Sequence, residues 1–464
     1  MNNPPEDGHA SRDDAVLADL FARTEAQIIP EHPDYDPDEG LEQFIEQLGN
    51  SQPTAPSGPS QQVAARILII VQNLPVPYDR RVWLECQSLA SRGHQVTVIC
   101  PKGKGDPRYQ IVDGVELHKY RPYRPGGSKL GFVAEYLYSF LATAWLTRKA
   151  RQAGPFAVVQ ACNPPDVFWP LALVLRALDG TKFVFDQHDL CPELYESRFP
   201  GSAKLPYRIL RTLERLTHRA ADHVIATNDS RRDIAIRRGG KSPADVTVVR
   251  TGPGQELQPL GQAYPELRRG HRFLAAYIGV MGPDDGVDIV LRAADIVVRQ
   301  FGREDIAFTL IGSGNCFDDL VALRDQLGLA GHVEFTGRAS DELVKRILST
   351  ADVGLSPDPK NPINDMSTMN KTMEYMAFEL PVVTFDLREA RVSADEAAVY
   401  AAPNDVHSFA EAIVKLIDDE SMRSRMGKLG RVRVEQELAW NHQEPNYLAV
   451  YHQLIGDSGI LDRP

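Results

Sequence analysis

Residues 66–100 read RILIIVQNLPVPYDRRVWLECQSLASRGHQVTVIC. The run from Arg66 to Asn73 holds an unbroken apolar stretch, the pattern of a strand buried on both faces. A proline-containing turn follows, and from Asp79 to Arg92 the apolar residues recur at helical spacing. Gly93 then ends the helix, and QVTVIC supplies the next strand. Strand, helix and strand in this order form a parallel unit with a crossover helix.

The alternation continues outward. Strands VELHKY, AVVQAC, KFVFDQ, HVIATN and DVTVVR are separated by helices over Phe132–Gln152, Asp166–Leu178 and Tyr207–Ala221 and by a short one from Ser230. After the Gly- and Pro-rich stretch Thr251–Gln262 it restarts with FLAAYIG, AFTLIG, HVEFTG, DVGLSP, PVVTFD and AVYAAP. The expected fold is α/β: two Rossmann-like, doubly wound parallel-sheet domains facing a cleft, over 65–255 and 256–440. A last helix, carrying Trp440, Tyr447 and Tyr451 within 441–464, is expected to pack back across the junction. Residues 1–64, rich in Pro, Ser, Asp and Glu, read as a disordered acidic tail. Its Asp34 and Asp36 belong to that acidic composition rather than to a metal site.

A net charge of -12 argues against a nucleic-acid partner, because phosphate backbones demand positive charge. The five cysteines form no Cys-x-x-Cys pair, which favours a reducing compartment and no structural zinc. The N-terminus lacks a secretory pattern, and the apolar stretch Phe132–Leu146 is too short to span a bilayer. These features point to a cytoplasmic protein.

Several loops stand where strands end. In residues 361–383 a polar loop leads into a helix near Thr368–Phe378. Free amides from Ser367 to Asn370 would suit a diphosphate, and Glu374, one turn in, a ribose. Ser367 and Thr368 as plain N-caps are the bland alternative. The turn Tyr277–Asp288 carries Gly279, Gly282 and Gly286, and the turn after Leu310 carries Gly312, Ser313 and Gly314. Glycines there let backbone approach a phosphate, or simply make tight turns. At the end of KFVFDQ, His188, Asp189 and Glu193 crowd titratable groups toward the cleft. Arg80 and Arg81, after the first strand, are candidates for a phosphate or an acidic acceptor, or ordinary helix-start charges.

Together these segments resemble the retaining glycosyltransferases of family 4, which share the two-Rossmann (GT-B) architecture. The resemblance covers about residues 66–455 and is most specific over 310–357 and in NKTMEYMAFELPVV. It implies a hexosyl transfer from a UDP- or GDP-sugar co-substrate, with retention, no metal and no permanently bound cofactor. Glu374 matches a donor-ribose glutamate, and the amides near Asn370 and Lys371 would meet the diphosphate. His188, with Asp189 beside it, matches a histidine next to the transferred sugar. Gly312 and Gly314 would line the nucleotide pocket, and Gly279–Gly286 would lie against the phosphates. The pattern departs from the family at Met366, where a first glutamate is usual, and at Val280 and Asp285, where arginine and lysine usually clamp phosphate. Lys371, Arg388 or Arg391 would have to substitute. A polysaccharide-assembly branch resembles this pattern, with Gly-Val-Met-Gly and Asn-Lys-x-x-Glu-Tyr-Met-Ala.

The partners so implied are a lipid-linked or saccharide acceptor and an anionic surface on the inner membrane face. Arg121, Arg124 and Lys129, with Lys204 and a basic helix face of Arg208, Arg211, Arg215 and Arg219, would supply the charge for that surface. Two other readings stay open: a catalytically silent partner subunit of the same fold, and a nucleotide-sugar 2-epimerase.

Overall fold

The computed structural model describes residues 65–456 except 104, 124–128, 199–203 and 255–256. The tail of residues 1–64, with Asp34 and Asp36, lies outside the described residues, as do Arg124 and residues 457–464.

The first half runs β1 (Arg66–Ile70), α1 (Arg80–Ser91), β2 (Gln95–Pro101), β3 (Tyr109–Val112), β4 (Val115–Tyr120), α2 (Lys129–Ala150) and β5 (Val158–Cys162). It continues α3 (Trp169–Asp179), β6 (Lys182–Gln187), α4 (Cys191–Arg198), α5 (Lys204–Ala220), β7 (His223–Ala226), α6 (Asp229–Arg237) and β8 (Val246–Val248). These strands form one eight-stranded sheet in the order β3-β4-β2-β1-β5-β6-β7-β8. In β1, Ile67 and Ile69 enter the core on one face while Leu68 and Ile70 enter the core on the other. This explains why the strand is apolar throughout.

The expected purely parallel sheet needs correction at one edge. β3 pairs antiparallel with β4 through Asp113 and Gly114, both at positive φ. An Asp-Gly pair in that conformation makes the tight hairpin turn that matches strand twist. The half-exposed strand YQIV is short and only weakly apolar, so it read as a connection.

The second half runs β9 (Phe273–Ile278), α7 (Val287–Asp295), β10 (Ile306–Ile311), α8 (Phe317–Gln326), β11 (Val333–Gly337), α9 (Asp341–Thr350) and β12 (Val353–Ser356). Then come α10 (Asn370–Ala377), β13 (Val382–Phe385), α11 (Arg388–Ala394), β14 (Ala398–Ala401), α12 (Val406–Asp418), α13 (Glu420–Arg433) and α14 (Trp440–Ile455). Its sheet has the order β11-β10-β9-β12-β13-β14, all parallel. Strand order reverses at β1/β5 in one sheet and at β9/β12 in the other, the places where open parallel sheets form crevices.

The last helix, α14, follows the second sheet in the chain but packs on the first. Trp440, Tyr447 and Tyr451 join the core that contains Ile67 and Val98, and the Trp440 indole donates to Ser88 Oγ at 3.1 Å. The crossing depends on Gly252, where a Cβ would lie 2.0 Å from the Leu438 carbonyl oxygen.

Candidate active site

The floor of the first domain is a buried polar cluster at the end of β6. Asp186 is fully buried, so its charge needs partners. Arg81 donates to Oδ1 at 3.0 Å, Gln160 to Oδ2 at 3.2 Å, and His188 Nε2 lies 2.6 Å from Oδ2. Burial alone would raise the Asp186 carboxyl, but the Arg81 charge and then His188 hold it below the usual range. Glu85 beside it is pushed well up, first by burial and then by the Asp186 charge. Burial and the Asp186 charge thus disfavour charge on Glu85, whereas Arg81 and His188 favour it on Asp186. His188 Nε2 is thus held on two sides, 2.6 Å from Asp186 Oδ2 and 3.1 Å from Arg81 Nε.

The cluster reaches the C-terminal helix. Gln160 donates to Glu85 at 2.7 Å, and its Oε1 accepts from Tyr447 at 3.0 Å and from Tyr451. Cys162, Asp186 and His188 bring ligand-type atoms within 4.8 Å of one another. They do not suit a cation. Arg81 stands 3.1 Å from the imidazole nitrogen, and burial followed by the Asp186 charge keeps the thiol protonated.

The loop after β6 is held by Asn163, whose Oδ1 accepts from the amides of His188 at 2.7 Å and Asp189 at 3.0 Å. The Asp189 side chain is half-exposed and meets Arg231 at 3.4 Å. Arg231, buried at the start of α6, also donates to Ser367 Oγ of the second domain at 3.0 Å. Its neighbour Asn228 caps α6 and donates to the Met366 carbonyl at 3.0 Å and to Thr368 Oγ1 at 3.1 Å. The start of α6 thus joins the His188–Asp189 loop to the loop that precedes α10.

That second loop opens a helix without a side-chain cap, since Met369 occupies the N-cap position of α10. Asn370 and Lys371 begin the helix, and the half-buried Glu374 lies one turn in. The Lys371 ammonium is buried 2.6 Å from Asp358 and 3.9 Å from Asp285, above the Tyr277 ring. Burial lowers the Lys371 pKa, yet Asp358 and then Asp285 raise it on balance, so it stays charged. Asp285 is pushed up to about 6, chiefly by burial, with Lys371 pulling the other way. The Asp285 carboxylate therefore has a buried cation beside it, contributed by α10 and paired with Asp358.

The glycines serve mostly to nest loops. A Cβ on Gly312 would lie 1.8 Å from the Gly279 carbonyl oxygen, and one on Gly286 2.3 Å from that of Pro357. Gly279 donates to Ile311 at 3.0 Å, Met281 to Ser313 at 3.1 Å, and Gly282 to the Asp285 carboxylate at 2.9 Å. Gly314 packs against the Met281 backbone. The amides of Gly279 and Gly282, expected to face a phosphate, are thus already donated within the protein.

Three other candidates stand apart. Arg81 is turned inward, donating also to Val249 O and Thr251 Oγ1, both at 3.0 Å, so it orients His188 from beneath and does not face an acceptor. Arg80 is exposed and bridges to Asp341 of α9 at 2.7 Å, on the rim. Glu193 is held with Glu214 around Arg238, between α4, α5 and α6. Of the substitute cations, Arg391 is paired with Asp386 at 2.7 Å, whereas Arg388 is exposed near the loop and its amide donates to Asp365. Asn163, Asp186, Asn228 and Arg231 escaped the sequence reading. NDSRR, directly after a strand, carried the capping signal for α6.

Residues 79–253 match the model described as Glycosyltransferase Family 4, and residues 272–419 match that described as Glycosyl transferases group 1. The chain belongs to the family 4 glycosyltransferases. The capsular polysaccharide biosynthesis glycosyltransferase CapM of Staphylococcus aureus is 23% identical over 52% of this chain, and the match spans 65% of CapM, just under two thirds of its length. A GDP-mannose-dependent alpha-(1-6)-phosphatidylinositol monomannoside mannosyltransferase of Mycobacterium tuberculosis is 22% identical over 81% of this chain and 95% of its own. Among solved structures, sucrose-phosphate synthase from Thermosynechococcus elongatus superposes with a TM-score of 0.70 at 16% identity, over 85% of this chain and all of that one. The shared fold is the two-sheet GT-B architecture.

Proposed function

We propose that this family member transfers a hexose from a UDP- or GDP-sugar to a lipid-linked or saccharide acceptor. The reaction would serve polysaccharide or glycolipid assembly on the cytoplasmic side of the membrane. The observation that supports this best is the Arg231 bridge, which brings His188 and Asp189 to the uncapped start of α10. A donor between them meets chemistry suited to each of its parts. The amides of Asn370 and Lys371 receive the diphosphate, Glu374 accepts from the ribose hydroxyls, and His188 faces the sugar. Gly312, Ser313 and Gly314 border the nucleotide.

In the transfer, the bond from the anomeric carbon to the phosphate oxygen breaks and the bond to the acceptor oxygen forms. The acceptor proton passes to the departing phosphate, and attack on the same face retains configuration. Helix-end amides and the Lys371 charge stabilise the growing negative charge without rearrangement, so no metal is needed. The two family members compared above carry names consistent with this reading, one a capsular polysaccharide enzyme and one acting on a lipid glycoside. The test is transfer to a lipid diphosphate-linked sugar in the presence of a chelator, with the anomeric configuration read by NMR. A product of retained configuration is expected. An inverted product, or a strict divalent-metal requirement, would overturn the mechanism.

A further inference from the structure

Helices α2, α3 and α5 share one face of the first sheet, with Leu146, Leu175 and Ala220 in a common core beneath them. Their outward sides therefore form one surface, and it is unusually apolar. On α2, Leu137, Leu141 and Trp145 recur every four residues and stay exposed, Trp145 by 63%. Lys149 continues the stripe, its ammonium 5.9 Å over the Trp145 ring. On α3, Val174 and Leu178 are exposed, and on α5 so are Leu205 and Ile209.

Beside Leu205 and Ile209 the character changes to strong positive charge. Arg208, Arg211, Arg215 and Arg238, with Thr212, line a groove of about 380 Å³. Glu193 and Glu214 occupy Arg238, and Arg211 leans on Glu214 and Tyr207. Arg208 and Arg215 are exposed at the opening. Guanidinium groups present paired N–H donors that match phosphate oxygens.

We infer that the outer surface of α2, α3 and α5 is a docking face for an anionic bilayer, with the arginine groove receiving lipid phosphates. Apolar residues set beside a Trp–Lys rim and arginines are the composition of a surface that lies in the lipid interface. No helix among the described residues is long and apolar enough to cross a membrane, so the contact is interfacial. A second copy of the chain fits this face poorly. An isologous contact whose axis passes through the arginine-rich patch would set that patch against itself. The inference deepens the proposed function by naming where a lipid-borne acceptor is met, and it rests on that reading only for its biological purpose.

The full chain is sedimented with vesicles of phosphatidylcholine alone and with vesicles containing 30% phosphatidylglycerol (about three lipids in ten), at low and high salt. Binding to the anionic vesicles is expected, weakened by salt, with a blue shift of Trp145 emission obtained by subtracting the Trp145→Phe variant. Arg208→Ala and Arg215→Ala should each lower partitioning roughly fivefold. Leu141→Glu should abolish the blue shift while thermal unfolding stays unchanged. Equal partitioning onto both vesicle types, or no binding to either, overturns the inference. So does a dimer in sedimentation equilibrium that Leu141→Glu dissociates, because a second copy would then cover this face. Failure of sugar transfer leaves these binding results intact, so the two readings fall separately.

Discussion

Arg231 of the first domain donates to Ser367 of the second at 3.0 Å while its guanidinium also meets Asp189 at 3.4 Å. One buried side chain thus spans the cleft at the point where donor and acceptor would meet. Arg231→Ala should lower kcat/KM for sugar transfer roughly tenfold to a hundredfold, the range for charge-assisted hydrogen bonds of about 1.5–3 kcal/mol. Steady-state kinetics checks this. Arg231→Lys should recover little, since an ammonium cannot hold two partners in a fixed fork.

Asp186 should position His188 without touching a ligand. Asp186→Asn leaves Arg81 without its full counter-charge in a buried site, a loss of about 3–5 kcal/mol. Urea unfolding measures that cost. In the fraction that remains folded, kcat should fall while donor KM changes little, because the imidazole loses the charged partner that holds its Nε2. An unchanged kcat would separate the cluster from catalysis.

Gly312 tests the nested loops. Its φ is +140°, and a Cβ would sit 1.8 Å from the Gly279 carbonyl oxygen. Gly312→Ala should therefore destabilise by at least about 2 kcal/mol, through overpacking added to backbone strain. Chemical denaturation reads this directly.

The Asp285–Lys371 pair makes a pH prediction. Asp285 titrates at about 6 in the folded protein, above its ordinary value of 3.8. The folded state therefore binds more protons than the unfolded state between these values, and stability falls as pH rises through that window. Asp285→Asn should flatten this part of the stability curve. It should also tighten donor binding at neutral pH, since it removes a negative charge 3.9 Å from the Lys371 ammonium. Calorimetric titration at pH 5 and pH 7.5 tests both the sign and the pH dependence.

The two sheets were legible because their strands are buried on both faces and so stand out as apolar runs such as RILIIV and FTLI. The β3 edge was not, since an exposed four-residue strand has no such run. Single side chains were harder still. Arg81 sits at a helix start, where a charge ordinarily faces solvent, and the tertiary placement of Asp186, with Glu85 one turn along the same helix, draws it inward. Lys371 and Asp285 are far apart in the chain, so their proximity could be seen only once α10 lay beside the β9 turn. The glycine turns were visible as turns, but the direction of their amides depended on loops that pack against them.

The central claim is that the cleft binds a nucleotide sugar with Glu374 holding its ribose. The most direct measurement is thermal unfolding of the full chain and of Glu374→Gln against a panel of uridine, guanosine and adenosine diphosphate sugars. One nucleotide class should raise the midpoint of the wild-type chain in a concentration-dependent manner, as any ligand of the native state does. The variant should melt like the wild type without ligand and need at least about tenfold more nucleotide sugar for the same shift. A wild-type chain that responds to none of them, or a variant that responds identically, would contradict the account.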